Sequence, residues 1–315
     1  MLLTLIPALA LRAQAPPAPQ EELPPAISVD VNVVNVVFSV RDKKGALQSK
    51  LAKEDFTVYD DGKPQTPKTF TRETDLPLTI GLLVDVSRSQ ENLIDVERRA
   101  ASQFFNQVLR KKDMAFLISF GSEAELLQDF TNSGRLLQDG LNEMRLSVSS
   151  SGLHPGPVPT ADRQRGTILF DAVYLAATEK LKSEVGRKVI VLITDGGEQG
   201  SRITRDKAIE AAQKSDAIIY SVYYADPIFG RMYGYSGDEG LLKRLSEETG
   251  GRVLHVDRKH TLQDIFDQIQ EEMRSQYVLS YSPSNSAGGG SFHRLEIRPN
   301  DKDLKVQARR GYYTR

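Results

Sequence analysis

From residue 78 to residue 274, strand-length apolar segments alternate with amphipathic stretches of helical period. Strands buried on both faces read as continuous apolar runs, whereas helices that cover a sheet keep one polar face. The strand segments fall at residues 78–84, 114–120, 126–130, 189–193, 217–223 and 252–256, and the helical ones at 91–109, 133–144, 168–182, 204–215, 240–249 and 262–274. This pattern predicts a doubly wound α/β fold with a mainly parallel six-stranded sheet and one antiparallel edge strand.

The flanks of this region have the period of β-strands instead. Short alternating runs lie before it and again after Gln276, separated by turn signals such as Asp60-Asp61-Gly62. Either set alone would bury little apolar surface, so we expect the two sets to pair in one small β-sandwich, in preference to two separate appendages. The predicted domains are N-terminal strands in 27–74, the inserted α/β domain in 75–275, and C-terminal strands in 276–315.

The first 15 residues, MLLTLIPALALRAQA, form an apolar run that ends in Ala13-Gln14-Ala15. This is typical of a signal peptide with its cleavage site, although no Lys or Arg precedes the run; a buried N-terminal helix is the alternative. A Pro-rich linker follows in residues 16–26. The signal-peptide pattern predicts an exported chain, periplasmic or extracellular. Because the apolar run is too short to span a bilayer unaided, we expect no transmembrane span after cleavage.

Composition narrows the chemistry. The chain of 315 residues has no cysteine, four histidines, and 41 Lys+Arg against 42 Asp+Glu. The absence of cysteine excludes disulfides, thiolate metal sites and cysteine nucleophiles. The balanced charge argues against a nucleic-acid partner, because such proteins carry a basic excess.

Oxygen-bearing side chains follow two of the predicted strands. Asp85, Ser87 and Ser89 come after the first strand, Asp195 follows the strand at 189–193, and Thr167 lies just before a helix. Ligands of parallel sheets collect at the carboxyl ends of the strands, and carboxylate and hydroxyl oxygens suit Mg²⁺, Mn²⁺ or Ca²⁺. Any one of these residues could instead cap the next helix, but the combination favours a divalent-cation site.

Asp85-x-Ser87-x-Ser89, Thr167 and Thr194-Asp195-Gly196 resemble the metal-ion-dependent adhesion site of von Willebrand factor type A domains, over residues 78–274. The flanks, including Asp55-Phe56-Thr57-Val58 and Arg310-Gly311-Tyr312, are similar to a group of exported bacterial proteins with such domains.

The resemblance implies a role for each motif residue. Ser87, Ser89 and Thr167 would bind the cation directly through their hydroxyls, and Asp85 and Asp195 directly or through water. The open coordination position would accept an acidic side chain of a partner protein. The implied function is a protein-binding or adhesion module and not an enzyme; oligomeric state is left open. Arg88, a cation between the two serines, either biases the choice of acidic partner or is simply solvated.

Two alternatives remain. One is a Mg²⁺-dependent phosphohydrolase with Asp85 as nucleophile, although Ser87 stands where such enzymes usually have a second acid, and no H-E-x-x-H, G-x-S-x-G or phosphate-loop motif occurs. The other is a structural envelope protein whose ion site has no function.

Two further features permit either a functional or a structural interpretation. Five tyrosines surround a Gly-rich loop at residues 227–237 and fit either a partner surface or the core: Tyr220, Tyr223, Tyr224, Tyr233 and Tyr235. The Ser-, Pro- and Gly-rich insertion at 147–166 either borders the ion or is a tolerated surface insertion.

Overall fold

The computed structural model describes residues 33–147, 166–234, 237–284 and 289–314. All of them belong to one compact unit, Asn32–Arg315. Within these ranges no helix has both the length and the apolar character needed to cross a membrane. The expected signal peptide at 1–15, the linker at 16–26 and most of the insertion at 147–166 lie outside the described residues.

The described residues contain strands and helices in the following chain order. The strands are β1 (Val34–Arg41), β2 (Phe56–Asp60), β3 (Lys63–Gln65), β4 (Thr69–Glu73), β5 (Leu78–Asp85), β6 (Met114–Phe120), β7 (Ala124–Thr131), β8 (Arg187–Thr194), β9 (Ala217–Tyr223), β10 (Val253–His255), β11 (Gln276–Tyr281), β12 (Phe292–Pro299), β13 (Lys305–Ala308) and β14 (Gly311–Tyr313). The α-helices are α1 (Ile94–Val108), α2 (Gly134–Glu143), α3 (Leu169–Leu175), which continues as a π-helical segment (Ala176–Leu181), α4 (Arg205–Lys214), α5 (Pro227–Tyr233), α6 (Glu239–Thr249) and α7 (Leu262–Met273).

The central sheet has six strands in the order β10-β9-β8-β5-β6-β7. All neighbours are parallel except β6 and β7, which are antiparallel. Every residue of β5 and β8 is buried, because helices cover both faces. Along β5, Leu82 and Val84 pack in the core under α1 and α7, whereas Leu83 packs in the core under α3 and α4. The predicted doubly wound sheet with its antiparallel edge is confirmed.

The flanking strands form two four-stranded sheets, β13-β1-β11-β4 and β14-β12-β2-β3. Each sheet combines strands from both ends of the chain, since β1 lies between β11 and β13 in the first sheet, and β12 pairs with β2 in the second. The sheets share an apolar core in which the ring of Phe38 lies 5.2 Å from that of Phe56 and 5.6 Å from that of Tyr277. The predicted sandwich around an inserted α/β region is therefore confirmed, while the domain boundaries at 75 and 275 stay a prediction.

The prediction of a Gly-rich loop at residues 227–237 is wrong for its first part, which forms helix α5. The Asp226 side chain accepts a hydrogen bond from the main-chain N–H of Ile228 (2.7 Å), Pro227 is the first helical residue, and Gly234 ends the helix in the left-handed conformation. Proline at the first helical position and glycine just after the last one favour a helix, although Gly230 lies inside it.

A buried carboxylate joins the sandwich to the α/β region. Glu272 of α7 is fully buried and accepts hydrogen bonds from Ser39 (2.8 Å) and Arg41 (2.5 Å) of β1. Arg252 also donates to it (2.9 Å), as does the hydroxyl of Tyr220 (3.3 Å). Burial alone would raise the pKa of Glu272, but Arg252 and Arg41 lower it, so the carboxylate is ionised.

We expect Glu272→Gln to lower the free energy of unfolding by about 3 kcal/mol, because it leaves two largely buried guanidinium groups without a counter-charge. Urea denaturation of the full chain measures the change. Glu271→Gln is the matched control. The side chain of Glu271 is exposed, so this substitution should leave the free energy of unfolding unchanged. Equal stability of the two variants would show that the network does not hold the two parts together.

Candidate metal centre

The carboxyl ends of β5 and β8 lie side by side, because the strands are parallel neighbours with Val84 opposite Ile193. Asp85, the last residue of β5, is therefore next to Thr194, the last residue of β8. One oxygen of Asp85 accepts the main-chain N–H of Ser87 (2.9 Å), and the other accepts the hydroxyl of Thr194 (2.5 Å). Both donors are neutral, and together they fix the orientation of the carboxylate.

The two motif serines follow in a tight 3₁₀ turn, Arg88–Gln90. The N–H of Gln90 donates to the carbonyl of Ser87 (2.9 Å), which closes the turn. As a result the hydroxyls of Ser87 and Ser89 lie 3.1 Å apart, the first half-buried and the second buried. The structure thus brings Asp85, Ser87 and Ser89 together, and their binding of a metal stays a prediction.

Asp195 enters through a turn that depends on glycine. Its carboxylate accepts the N–H of Gly197 (2.9 Å), and Gly196 donates to the Thr194 hydroxyl (3.0 Å). Gly196 has a φ of +82°, and a Cβ there would lie 2.5 Å from the carbonyl oxygen of Asp238. Only glycine meets both conditions. Asp195 is 1% exposed and lies close enough to Asp85 to raise its pKa.

Thr167 is brought to the same edge by its main chain. The carbonyl of Thr167 accepts the N–H groups of Gln199 (3.0 Å) and Gly200 (3.2 Å), in the loop after β8. The next residue, Ile168, donates to the carbonyl of Gly121 (2.9 Å), just after β6. Thr167 therefore lies between the loops that follow β6 and β8, and its hydroxyl as a metal ligand stays a prediction.

The electrostatics of the edge favour a cation. Asp85 is fully buried, and burial raises its pKa to about 7; Asp195 adds to the shift, whereas the hydrogen bonds from Ser87 and Thr194 oppose it. A desolvated carboxylate is costly in its ionised form unless a positive charge lies beside it. Buried carboxylates next to paired hydroxyls are hard oxygen donors, so this set fits Mg²⁺, Mn²⁺ or Ca²⁺.

A third buried acid escaped the motif-based prediction. Glu97 of α1 is fully buried, and neither carboxylate oxygen has a hydrogen-bond partner among the described residues. Burial raises its pKa well above the usual value, and Asp85 and Asp195 raise it further. The sequence did carry a signal: Glu97 occupies a position of the helical period otherwise held by Ile94, Ala101 and other apolar residues.

The five tyrosines divide into different environments. Tyr220 belongs to the core, Tyr223 and Tyr224 are half-buried, and Tyr235 lies outside the described residues. Tyr233 is 56% exposed, and the guanidinium of the motif residue Arg88 lies 5.6 Å from the centre of its ring. The contact with Arg88 places helix α5 beside the motif. Because Tyr220 is buried and Tyr233 is exposed, only some of these tyrosines are accessible to a partner.

Comparison with known proteins gives structural similarity only. No protein-family model matches the chain, and no curated protein matches it. Similar solved structures include an aerotolerance-related membrane protein from Bacteroides fragilis (16% identity, TM-score 0.46, 62% of this chain and 98% of that chain). Another is proximal thread matrix protein 1 from the mussel byssus with a zinc-occupied MIDAS motif (12% identity, TM-score 0.46, 65% of this chain and 50% of that chain). A third is the SpRpn10 VWA domain (12% identity, TM-score 0.41, 62% of this chain and 95% of that chain).

At such identities and TM-scores the neighbours carry no argument about function. Asp85, Ser87, Ser89 and Asp195 lie at the carboxyl edge of the sheet, at the end of β5 and in the loops that follow β5 and β8. The α/β region has a doubly wound fold, with helices on both faces of its six-stranded sheet.

We expect the stability of the protein in chelator to fall as the pH rises from about 4 to about 7. The folded state keeps a proton on Asp85 over this range, whereas the unfolded chain, with a pKa near 3.8, has released it. The difference corresponds to roughly 3 to 5 kcal/mol for this one group. Urea denaturation in EDTA across the pH range measures it.

Asp85→Asn should flatten this slope relative to the wild type, and Glu97→Gln should raise stability at pH 7 without metal, because it removes a buried acid. Asp95→Asn, an exposed acid on the same helix as Glu97, is the control. An unchanged slope in Asp85→Asn would mean that the carboxylate is not desolvated as the structure has it.

Proposed function

We propose that the chain is an exported protein-binding module of the adhesion type, and that Asp85, Ser87, Ser89, Thr167 and Asp195 hold a divalent cation through which it captures an acidic residue of a partner protein. The observation that carries the proposal is the full burial of Asp85 between neutral donors, beside Asp195 and two hydroxyls 3.1 Å apart.

The donor set also favours one class of cation and of ligand. Hydroxyl and carboxylate oxygens suit hard cations, so Mg²⁺ is the proposed occupant, with Mn²⁺ or Ca²⁺ as substitutes. Two carboxylates balance the divalent charge, and the neutral hydroxyls leave the ion able to bind one more anionic oxygen. An acidic side chain of a partner is the ligand that this charge balance favours.

The surroundings of the motif supply a second argument for a protein partner. Arg88 is exposed beside the serines, and α5 presents the apolar side chains of Met232 (70% exposed) and Ile228 (53% exposed). The net charge of the whole chain is only −1, so attraction to an acidic group would arise locally. A bound cation and Arg88, next to the exposed apolar side chains of Met232 and Ile228, would suit a partner surface on which an acidic residue is surrounded by apolar ones.

The phosphohydrolase alternative is disfavoured by the position of Asp85. A nucleophilic carboxylate must reach its substrate, whereas both oxygens of Asp85 accept hydrogen bonds inside the protein and the side chain has no exposed surface. Turnover of a generic phosphate ester that is lost in Asp85→Asn would restore this alternative. A structural protein with a non-functional ion site is the remaining possibility.

We expect purified protein to bind about one equivalent of Mg²⁺ in isothermal titration calorimetry, and Asp85→Ala to abolish binding because it removes a charged ligand. Asp95→Ala, an exposed acid ten residues along the chain, is the control and should bind as the wild type does. Undiminished Mg²⁺ binding by Asp85→Ala would contradict the assigned site.

The proposed partner is tested by a pull-down from envelope extract with Mg²⁺ or with EDTA. A protein retained only with Mg²⁺, and not by Asp85→Ala, supports ion-mediated capture. Retention that is independent of both the ion and Asp85 would favour the structural alternative.

A further inference from the structure

Two polar residues occupy inward positions of the sandwich where the strand period calls for apolar ones. Along β2, Phe56, Val58 and Asp60 face the core; along β12, His293, Leu295 and Ile297 do so. Asp60 and His293 are each only 4% exposed. Because a buried polar side chain is costly without partners, two of them at one end of an apolar core require an explanation.

The oxygens of Asp60 have different surroundings. Oδ2 accepts hydrogen bonds from the hydroxyls of Tyr281 and Tyr312, both at 2.8 Å. Oδ1 is buried, has no hydrogen-bond partner in the described part of the chain, and lies 3.6 Å from Nδ1 of His293. The tyrosines hold the carboxylate so that its unpaired oxygen is directed at the imidazole.

Asp61 repeats this arrangement from the hairpin turn between β2 and β3. Its Oδ1 accepts the main-chain N–H of Arg294 (2.8 Å), and its own N–H donates to the Arg294 carbonyl (2.8 Å). Its Oδ2 lies 2.8 Å from Nδ1 of His293. The main-chain hydrogen bond from Arg294, with a smaller contribution from His293, lowers the pKa of Asp61 despite some burial, so the side chain is ionised.

One oxygen of each carboxylate is thus fixed by the protein, and the other faces the same imidazole nitrogen. The three groups offer ligand atoms that all lie within 4.8 Å of one another. Two carboxylates and one neutral imidazole balance a divalent charge, and imidazole nitrogen with carboxylate oxygen is a ligand set that Zn²⁺ accepts. The Asp61 side chain is 40% exposed, which gives solvent access to the cluster.

We propose that Asp60, Asp61 and His293 form a second metal site, specific for a Zn²⁺-like cation and separate from the type A motif. Oδ1 of Asp60, Oδ2 of Asp61 and Nδ1 of His293 are its protein ligands, and water completes the coordination. Tyr281 and Tyr312 act as positioning residues that orient Asp60. Bound metal would join the β2–β3 hairpin to β12 and stabilise that end of the sandwich.

The competing arrangement of the same cluster is metal-free, with a direct hydrogen bond between Nδ1 of His293 and Oδ2 of Asp61 (2.8 Å). Such a cluster would not respond to zinc, so a metal titration separates the two states.

The test uses the full chain carrying Asp85→Ala, so that its outcome is independent of the type A motif. Isothermal titration with Zn²⁺ should give about one equivalent, Co²⁺ should give a visible absorption band of a low-symmetry site, and Zn²⁺ should raise the melting temperature. Adding His293→Gln should remove all three effects. His255→Gln, which changes an exposed histidine, should leave them intact.

Asp61→Asn provides a variant that is expected to fold normally, since asparagine tolerates the φ of +48° at this position and keeps the acceptor for Arg294. It should weaken Zn²⁺ binding at least tenfold while leaving the zinc-free melting temperature nearly unchanged. Zinc binding of equal stoichiometry and affinity in the parent, His293→Gln and Asp61→Asn proteins would overturn the proposal, as would no zinc binding by the folded parent.

Discussion

The burial of negative charge at the carboxyl edge of the central sheet is the constraint on which the candidate centre depends. Asp85, Asp195 and Glu97 are all 0–1% exposed, and their mutual repulsion adds to the cost of desolvation. The protein supplies neutral donors to this edge, chiefly the Thr194 hydroxyl and the N–H of Ser87. Neutral donors orient carboxylates but do not neutralise them, so the buried charge is compensated by a proton in chelator and, as we propose, by a bound cation when metal is present.

The sandwich contributes to this centre indirectly, because its strands hold the two ends of the α/β region close together. β1 and β11 pair although they are far apart in the chain, so the sandwich forms only when both ends of the α/β region are close together. Glu272 extends this link into the α/β region, because α7 holds a carboxylate that binds Ser39 and Arg41 of β1. The insertion is thus constrained by chain topology and by one buried ionic network.

The sequence predicted the features that arise from local periodicity. Buried runs such as β5 and β8 were visible as continuous apolar segments, and a strand that ends in an aspartate placed Asp85 at the carboxyl edge. Helix α5 was missed because the glycines in and after it, Gly230, Gly234 and Gly237, are typical of a loop, although Asp226-Pro227 and Gly234 were adequate signals for its start and end.

Features that depend on distant contacts were out of reach. Asp60 and His293 are more than 200 residues apart in the chain and meet only because β2 pairs with β12, so four scattered histidines gave no hint of a cluster. The support of Asp85 by Thr194 likewise follows from the pairing of β5 with β8. Thr167 was a candidate from its place before a helix and from the resemblance, but its position at the edge follows only from the folded loops after β6 and β8.

The most direct test of the central claim is the anomalous scattering of Mn²⁺ in crystals of the full chain grown with excess Mn²⁺. We expect a peak within coordination distance of the Ser87 and Ser89 hydroxyls, beside Asp85 and Asp195, that is absent from crystals of Asp85→Ala. A folded protein at saturating Mn²⁺ with no peak at the carboxyl edge of the sheet would contradict it.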